Sequence, residues 1–141
     1  MAEQDLIRIA RGIVDAFSDG DIERATAPLT ANGVYNEIGT QRKLEGRAAI
    51  TEVLKGWRQA MPDVKGTITN AFASGNSVVL EIRWDGTHTG PLEGPGGTIP
   101  ASGKRQSTPA AWVFDFDGEQ VKESRQYFDM MAFLQQIGAM P

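Results

Sequence analysis

The chain has no cysteine and a single histidine among its 141 residues. Without cysteine there is no disulfide frame, no zinc knuckle and no thiol nucleophile. No cluster of His or carboxylate residues has the spacing of a metal site, so no metal is expected. Basic residues are outnumbered, 14 against 18 acidic, and the net charge is −4. Gln41-Arg-Lys43 and Lys104-Arg105 are isolated pairs, whereas nucleic-acid binding needs a clustered basic face. No apolar run approaches the roughly 18 residues that span a bilayer. The N-terminal Met-Ala-Glu-Gln-Asp is acidic and has no signal-peptide apolar stretch. A soluble, cytoplasmic protein with neither nucleic-acid nor membrane partners is the expectation. Gly94-Pro-Gly-Gly97 lacks the Lys-Ser/Thr pair and the following helix of a phosphate loop, and reads as a rim or lid. No cofactor motif is present, so no cofactor is expected.

What remains is enough for one domain, residues 1–141, with a core that needs no staples. Leu6, Ile9, Ala10, Ile13, Val14 and Phe17 recur at helical spacing over 3–18. Asp21 can cap a short helix from Ile22 to Ala27, which Pro28 helps to stop. Val34–Ile38 reads as a short strand and Leu44–Gly46 as a loop. Ile50, Val53, Leu54, Trp57 and Met61 share one face of a third helix over 47–60, ended by Met61-Pro62. Strands follow over Val64–Ala73, Val78–Thr89 and Lys104–Asp117, with Ser74–Ser77 and Asp117-Gly118 as hairpin connections. Gly90–Gly103 reads as a loop. Helices first and antiparallel strands after them predict an α+β fold: a curved antiparallel sheet, cone-shaped, wrapped over three N-terminal helices around a cavity.

The last strand, Val121–Asp129, carries Glu123, Arg125, Tyr127 and Asp129 on one parity, with Phe128 on the other. A sheet face buries charge only when the charge is paired or used, so this row reads as the floor of a polar pocket. Asp129 is the candidate acid/base, because a carboxyl group sheltered among apolar side chains suits proton transfer near neutral pH. It could equally be the N-cap of a helix starting at Met130. Arg83 and Asp85 share a strand face about 7 Å apart. They read either as part of an acid–base pair or as a surface ion pair, and as chemistry they require that face to point inward. His88 has the opposite parity unless a bulge at Gly86 shifts it. Tyr35, Glu37, Trp57, Arg125 and Tyr127 are further candidates for a pocket wall, and Trp57 is equally a core residue.

Gly46-Arg-Ala-Ala-Ile50, Met61-Pro-Asp63, Gly86-Thr-His-Thr-Gly90, Gly103-Lys-Arg105 and Tyr127-Phe-Asp129 with Leu134-Gln-Gln-Ile-Gly138 together resemble the nuclear-transport-factor-two-like superfamily. Within it, the chain looks like the SnoaL-like polyketide cyclase, or ester cyclase, group. That resemblance implies a cone with an internal cavity, a homodimer through the outer sheet face, no metal, and an acid/base at Asp129 acting in an aldol-type step. Two positions depart from the group: Arg125, where relatives often carry Trp, and Asn36, where many carry His. A narrower resemblance is to limonene-epoxide-hydrolase-like members, matched by Arg83-Trp84-Asp85, Asp129 and Tyr35, with Glu37 in place of their Asn.

The resulting expectation is cofactor-independent acid/base chemistry, a cyclisation or isomerisation, on an apolar oxygenated small molecule. The alternatives are epoxide hydrolysis through Asp85, Arg83 and Asp129, and a non-catalytic protein that binds a small ligand in the same cavity.

Overall fold

The computed structural model describes residues 2–94 and 96–140; Met1, Pro95 and Pro141 lie outside the described residues. The chain runs α1 (Glu3–Ser18), α2 (Ile22–Thr26), β1 (Leu29–Glu37), β2 (Arg42–Glu45), α3 (Arg47–Ala60), β3 (Lys65–Ser74), β4 (Ser77–Thr87), β5 (Leu92–Gly94), β6 (Gly97–Ile99), β7 (Arg105–Asp117), β8 (Gln120–Phe128) and α4 (Met130–Gln136). Six strands form one sheet in the order β2-β1-β8-β7-β4-β3, and β5 and β6 form a separate small hairpin. Neighbours are antiparallel except β1 and β8, which run parallel. That pair joins distant parts of the chain, so no hairpin turn constrains its direction. The segment read as a loop at Leu44–Gly46 is half strand, since β2 pairs Leu44 with Tyr35. The loop read over Gly90–Gly103 contains the β5–β6 hairpin, with Gly94 opposite Gly97 across the undescribed Pro95.

The apolar stripe of α1 buries Leu6, Ala10, Ile13, Val14 and Phe17 against β3 and β4. The concave face of the sheet answers with Val78, Leu80 and Ile82 from β4 and Trp112, Phe114 and Phe116 from β7. Pairing between β4 and β7 is unbroken from Ser77–Asp115 to Thr87–Arg105, so the inner row of each strand is continuous. Irregularities interrupt the ladders between β3 and β4, between β7 and β8 and between β1 and β8. Such bulges raise local twist, which is how a sheet curls into a cone. Asp63, in the turn after α3, accepts from the Thr87 backbone N–H at 2.7 Å and from its hydroxyl at 2.8 Å, tying the helix end to the end of β4. The Thr87 N–H is the main cause that holds the Asp63 carboxyl below its usual range.

The convex face is more polar, but it exposes Phe72 (50 %) and Tyr127 (45 %). No helix among the described residues is long and apolar enough to cross a membrane.

Candidate functional site

A pocket of about 60 Å³ lies between the concave face of the sheet, α1, α3 and α4. Phe17, Leu54, Met61 and Val64 line its helical side, and Trp84, Trp112, Phe128 and Phe133 add aromatic walls. The polar groups that reach it are Tyr35, Glu37, Gln106, Thr108 and Gln126. All of these residues are buried except Trp84 and Phe128, which are half-buried, as is Trp57, which also lines the pocket.

Among the described residues Glu37 is the only charged side chain in the wall, and it is 1 % exposed. It closes β1, where the chain turns through a single 3-10 turn, Ile38–Thr40, back into β2. That reversal brings Thr40 and Arg42 to the carboxylate. Oε1 accepts from the Thr40 hydroxyl at 2.5 Å and from Arg42 Nη2 and Nε at 2.6 and 3.0 Å. Oε2 accepts from Trp57 Nε1 at 2.8 Å and from the Tyr35 hydroxyl at 3.2 Å. A carboxylate offers about four lone-pair positions, so five donors saturate it. Burying the charge is tolerable because Arg42 supplies the opposite charge.

From Tyr35 a chain of hydrogen bonds crosses the pocket floor. Gln126 Nε2 donates to the Tyr35 hydroxyl at 2.9 Å, and Gln126 Oε1 accepts from Trp84 Nε1 at 2.7 Å. Burial first, and the Glu37 carboxylate beside it second, hold the Tyr35 hydroxyl well above the usual tyrosine range, so it keeps its proton. A second polar group sits beside Met61. The Thr108 hydroxyl donates to Gln106 Oε1 at 2.5 Å, and Gln106 Nε2 donates to the Met61 sulfur at 3.3 Å. The indole N–H of Trp112, also in the wall, has no partner among the described residues.

The structure brings three of the sequence candidates, Tyr35, Glu37 and Trp57, to this pocket. The others lie elsewhere. Asp129 is exposed, and its Oδ1 accepts from the Ala132 backbone N–H at 3.1 Å. It caps α4, satisfying one of the unpaired N–H groups at a helix start. The expected floor carboxylate is thus corrected to a capping residue in water. Arg83 and Asp85 belong to the convex face, where Arg83 donates to the Ser107 hydroxyl at 3.2 Å. A strand can turn only one face to the core, and Val78, Leu80, Ile82 and Trp84 occupy it, so the expected inward Arg83–Asp85 pair is also corrected. Asp85, Arg83 and Asp129 do not line the pocket.

Arg125 and Tyr127 also point outward. Asp115 pairs with Glu123 but Phe116 pairs with Val121, so one residue of β8 is left over. A one-residue bulge turns every later side chain to the other face. Val121 is inside, and beyond the bulge Ser124, Gln126 and Phe128 are inside too. Arg125 instead bridges Asp115 at 2.7 Å and Glu123 at 3.0 Å. Its guanidinium is the main cause that holds the Asp115 carboxyl below the usual range.

His88 shares the parity of Trp84 and Gly86 and is fully buried, but it does not line the pocket. Its Nδ1 accepts from the Ser102 backbone N–H at 3.2 Å and lies 2.9 Å from the Ser102 hydroxyl. It therefore fastens the two ends of the segment that carries β5 and β6. Burial pushes the imidazole below its usual range.

Gln126, Gln106 and Thr108 were missed as site residues. Their signal was present for β7: Gln106, Thr108, Trp112, Phe114 and Phe116 have one parity, a polar end on an aromatic row. No such signal exists for Gln126, because the bulge hides its face.

No curated protein matches the chain at a significant level. Solved structures do. One from Jannaschia sp. CCS1, described as a SnoaL-like polyketide cyclase, is 22 % identical with a TM-score of 0.87, covering 99 % of this chain and 95 % of that one. A protein of ketosteroid isomerase-like fold from Catenulispora acidiphila, in complex with trimethylamine, is 21 % identical with a TM-score of 0.79 over 94 % and 93 %. An M. tuberculosis protein described as an LEH-like epoxide hydrolase is 19 % identical with a TM-score of 0.72 over 97 % and 95 %. At these identities the likeness is one of fold. The family of SnoaL-like polyketide cyclases matches residues 7–137, nearly the whole length. The chain belongs to the SnoaL-like polyketide cyclase family.

Proposed function

We propose that this protein is a cofactor-independent enzyme that binds an apolar, carbonyl-bearing small molecule in the pocket and moves a proton beside that carbonyl, as in a cyclisation or isomerisation. The observation that carries the reading is the buried Tyr35–Glu37 pair in a mostly apolar wall. The Tyr35 bond is the longest of the five on Glu37, and a hydroxyl rotates about one C–O bond. When the hydroxyl turns to a ligand oxygen, it becomes a donor to the charge that develops there. The same rotation vacates a lone pair on Glu37 Oε2, which can then take a proton from the neighbouring carbon and return it. One of the two N–H groups of Gln126 Nε2 is used by Tyr35, and the other remains to hold the ligand oxygen. The pocket thus offers donors and one latent base, which suits a neutral ketone, charged only as the proton leaves, better than a ligand that arrives as an ion.

Turnover by Tyr35→Phe tests this. With a panel of apolar ketones, the variant is expected to bind within a few-fold of wild type and to lose about a hundredfold in rate, the low end for a proton-transfer or oxyanion group. Undiminished turnover would sink the mechanism.

The saturation of Glu37 favours a second reading, a ligand-binding protein without catalysis, in which the five donors are permanent. Tight binding of a ketone by the wild-type chain, never followed by product, would select it. A second copy of the chain packed on the convex face is supported by the exposed Phe72 and Tyr127, and a sedimentation mass of a single chain would exclude it.

A further inference from the structure

We propose that Trp57 is the gate of this pocket, and that its ligand arrives through a surface groove on the other side of that indole. The inference rests on the reading of the pocket as a small-molecule site. The groove, about 140 Å³, runs between α3 and the β5–β6 hairpin, over Val53, Gly56 and Leu92. Among the described residues Trp57 is the one that lines both the groove and the inner pocket. Beside it the partition is completed by an ion pair: Glu37 faces the pocket and Arg42 the groove. One indole and one salt bridge separate the two spaces.

The other half-buried rings of the pocket wall are pinned. Phe128 lies against Gly39 so closely that a Cβ there would sit 2.5 Å from its ring, and Trp84 lies against Gly66 so closely that a Cβ there would sit 2.7 Å from its ring. The α4 side is clamped, because the Gln136 side chain accepts from the Ser107 backbone N–H at 2.7 Å and Phe133 is buried. Trp57 borders open space on its outer side, since the groove is lined by Gly56, which brings no side chain into it. Its hold is a hydrogen bond to Glu37 and edge contacts with Phe128 and Phe133, ring centroids 6.1 and 5.5 Å apart. A ligand entering past it meets the carboxylate that the indole has just released.

Gly56→Leu puts a side chain into the groove without touching the pocket, and it replaces a glycine inside a helix, which favours folding. Stopped-flow quenching of tryptophan emission by acetylnaphthalene, an apolar ketone, reads the consequence. Association and dissociation rates are expected to fall together by about tenfold, with the dissociation constant unchanged, because a blocked route alters both directions equally. Trp57→Phe, which loses the N–H latch, should raise both rates. Hydrogen exchange of the Trp57 indole N–H gives a readout without ligand: it should exchange by local opening, faster than the core amides, and slow in Gly56→Leu. Unchanged binding rates in Gly56→Leu, or an indole N–H that exchanges only with global unfolding, overturns the gate while leaving the pocket reading intact. No binding by the wild-type chain overturns the pocket reading and the gate with it.

Discussion

Replacing Glu37 by Gln exchanges one carboxylate oxygen for an NH2 group that itself donates. If the NH2 takes the Oε1 position it confronts Thr40 and both nitrogens of Arg42; at Oε2 it confronts Trp57 and Tyr35. Either way two or three donors lose their acceptor and Arg42 loses its counter-charge. Breaking a buried pair costs about 3–5 kcal/mol, and Arg42 is 21 % exposed, so water offsets part of it and about 3 kcal/mol is expected. Unfolding entropy near 2.1 cal/mol/K per residue gives about 0.3 kcal/mol/K for 141 residues, so Tm should fall by roughly 10 °C. Thermal melts by calorimetry measure it. The double variant with Arg42→Gln should lose less than the sum of the two single losses, because the second change removes the stranded charge. A fall of under about 3 °C for Glu37→Gln, or simple additivity, would refute the saturated-carboxylate account.

The cap role of Asp129 predicts that Asp129→Asn is nearly neutral and that Asp129→Ala costs about 1 kcal/mol in urea unfolding, with turnover of any ketone substrate retained in both. For His88 the sign follows from its lowered value. The unfolded chain takes up a proton near the ordinary histidine range, while the folded chain resists until lower pH. Stability is therefore full above that range and declines as pH falls through it. His88→Asn keeps an acceptor for the Ser102 N–H and cannot titrate, so its Tm should be flatter than wild type between about pH 5 and 7. Equal slopes for the two proteins would place the pH sensitivity elsewhere.

Much of the fold was legible because it is written in long periodic stretches. The helical stripe from Leu6 to Phe17 and the alternating Val78–Trp84 row each state a period and a buried face over enough residues to be read. β2 was not legible: four residues, Arg42–Glu45, carry no periodicity of their own and become a strand only because β1 lies beside them. The parallel pairing of β1 with β8 was hidden for the same reason, since no turn residue marks a partner that lies some ninety positions away in the chain.

The site was half legible, and the missing half has one physical origin. Parity can be carried along a strand only while the ladder is regular. Read without a bulge, the final strand places Arg125, Tyr127 and Asp129 inside together with Val121. The slip opposite Asp115–Phe116 keeps Val121 inside but exchanges the rest for Ser124, Gln126 and Phe128. The burial problem is thereby reversed. An inward Arg125 would have needed a buried counter-ion, whereas an inward Gln126 needs only neutral partners and finds them in Trp84 and Tyr35. The charged residue of the pocket comes instead from β1, where Glu37 has Arg42 five positions away to neutralise it. A chain that buries a carboxylate must bring its counter-charge close. That local pairing of Glu37 with Arg42 across a tight reversal was a sequence signal of the pocket's charged group, stronger than the acidic residue at the end of the last strand.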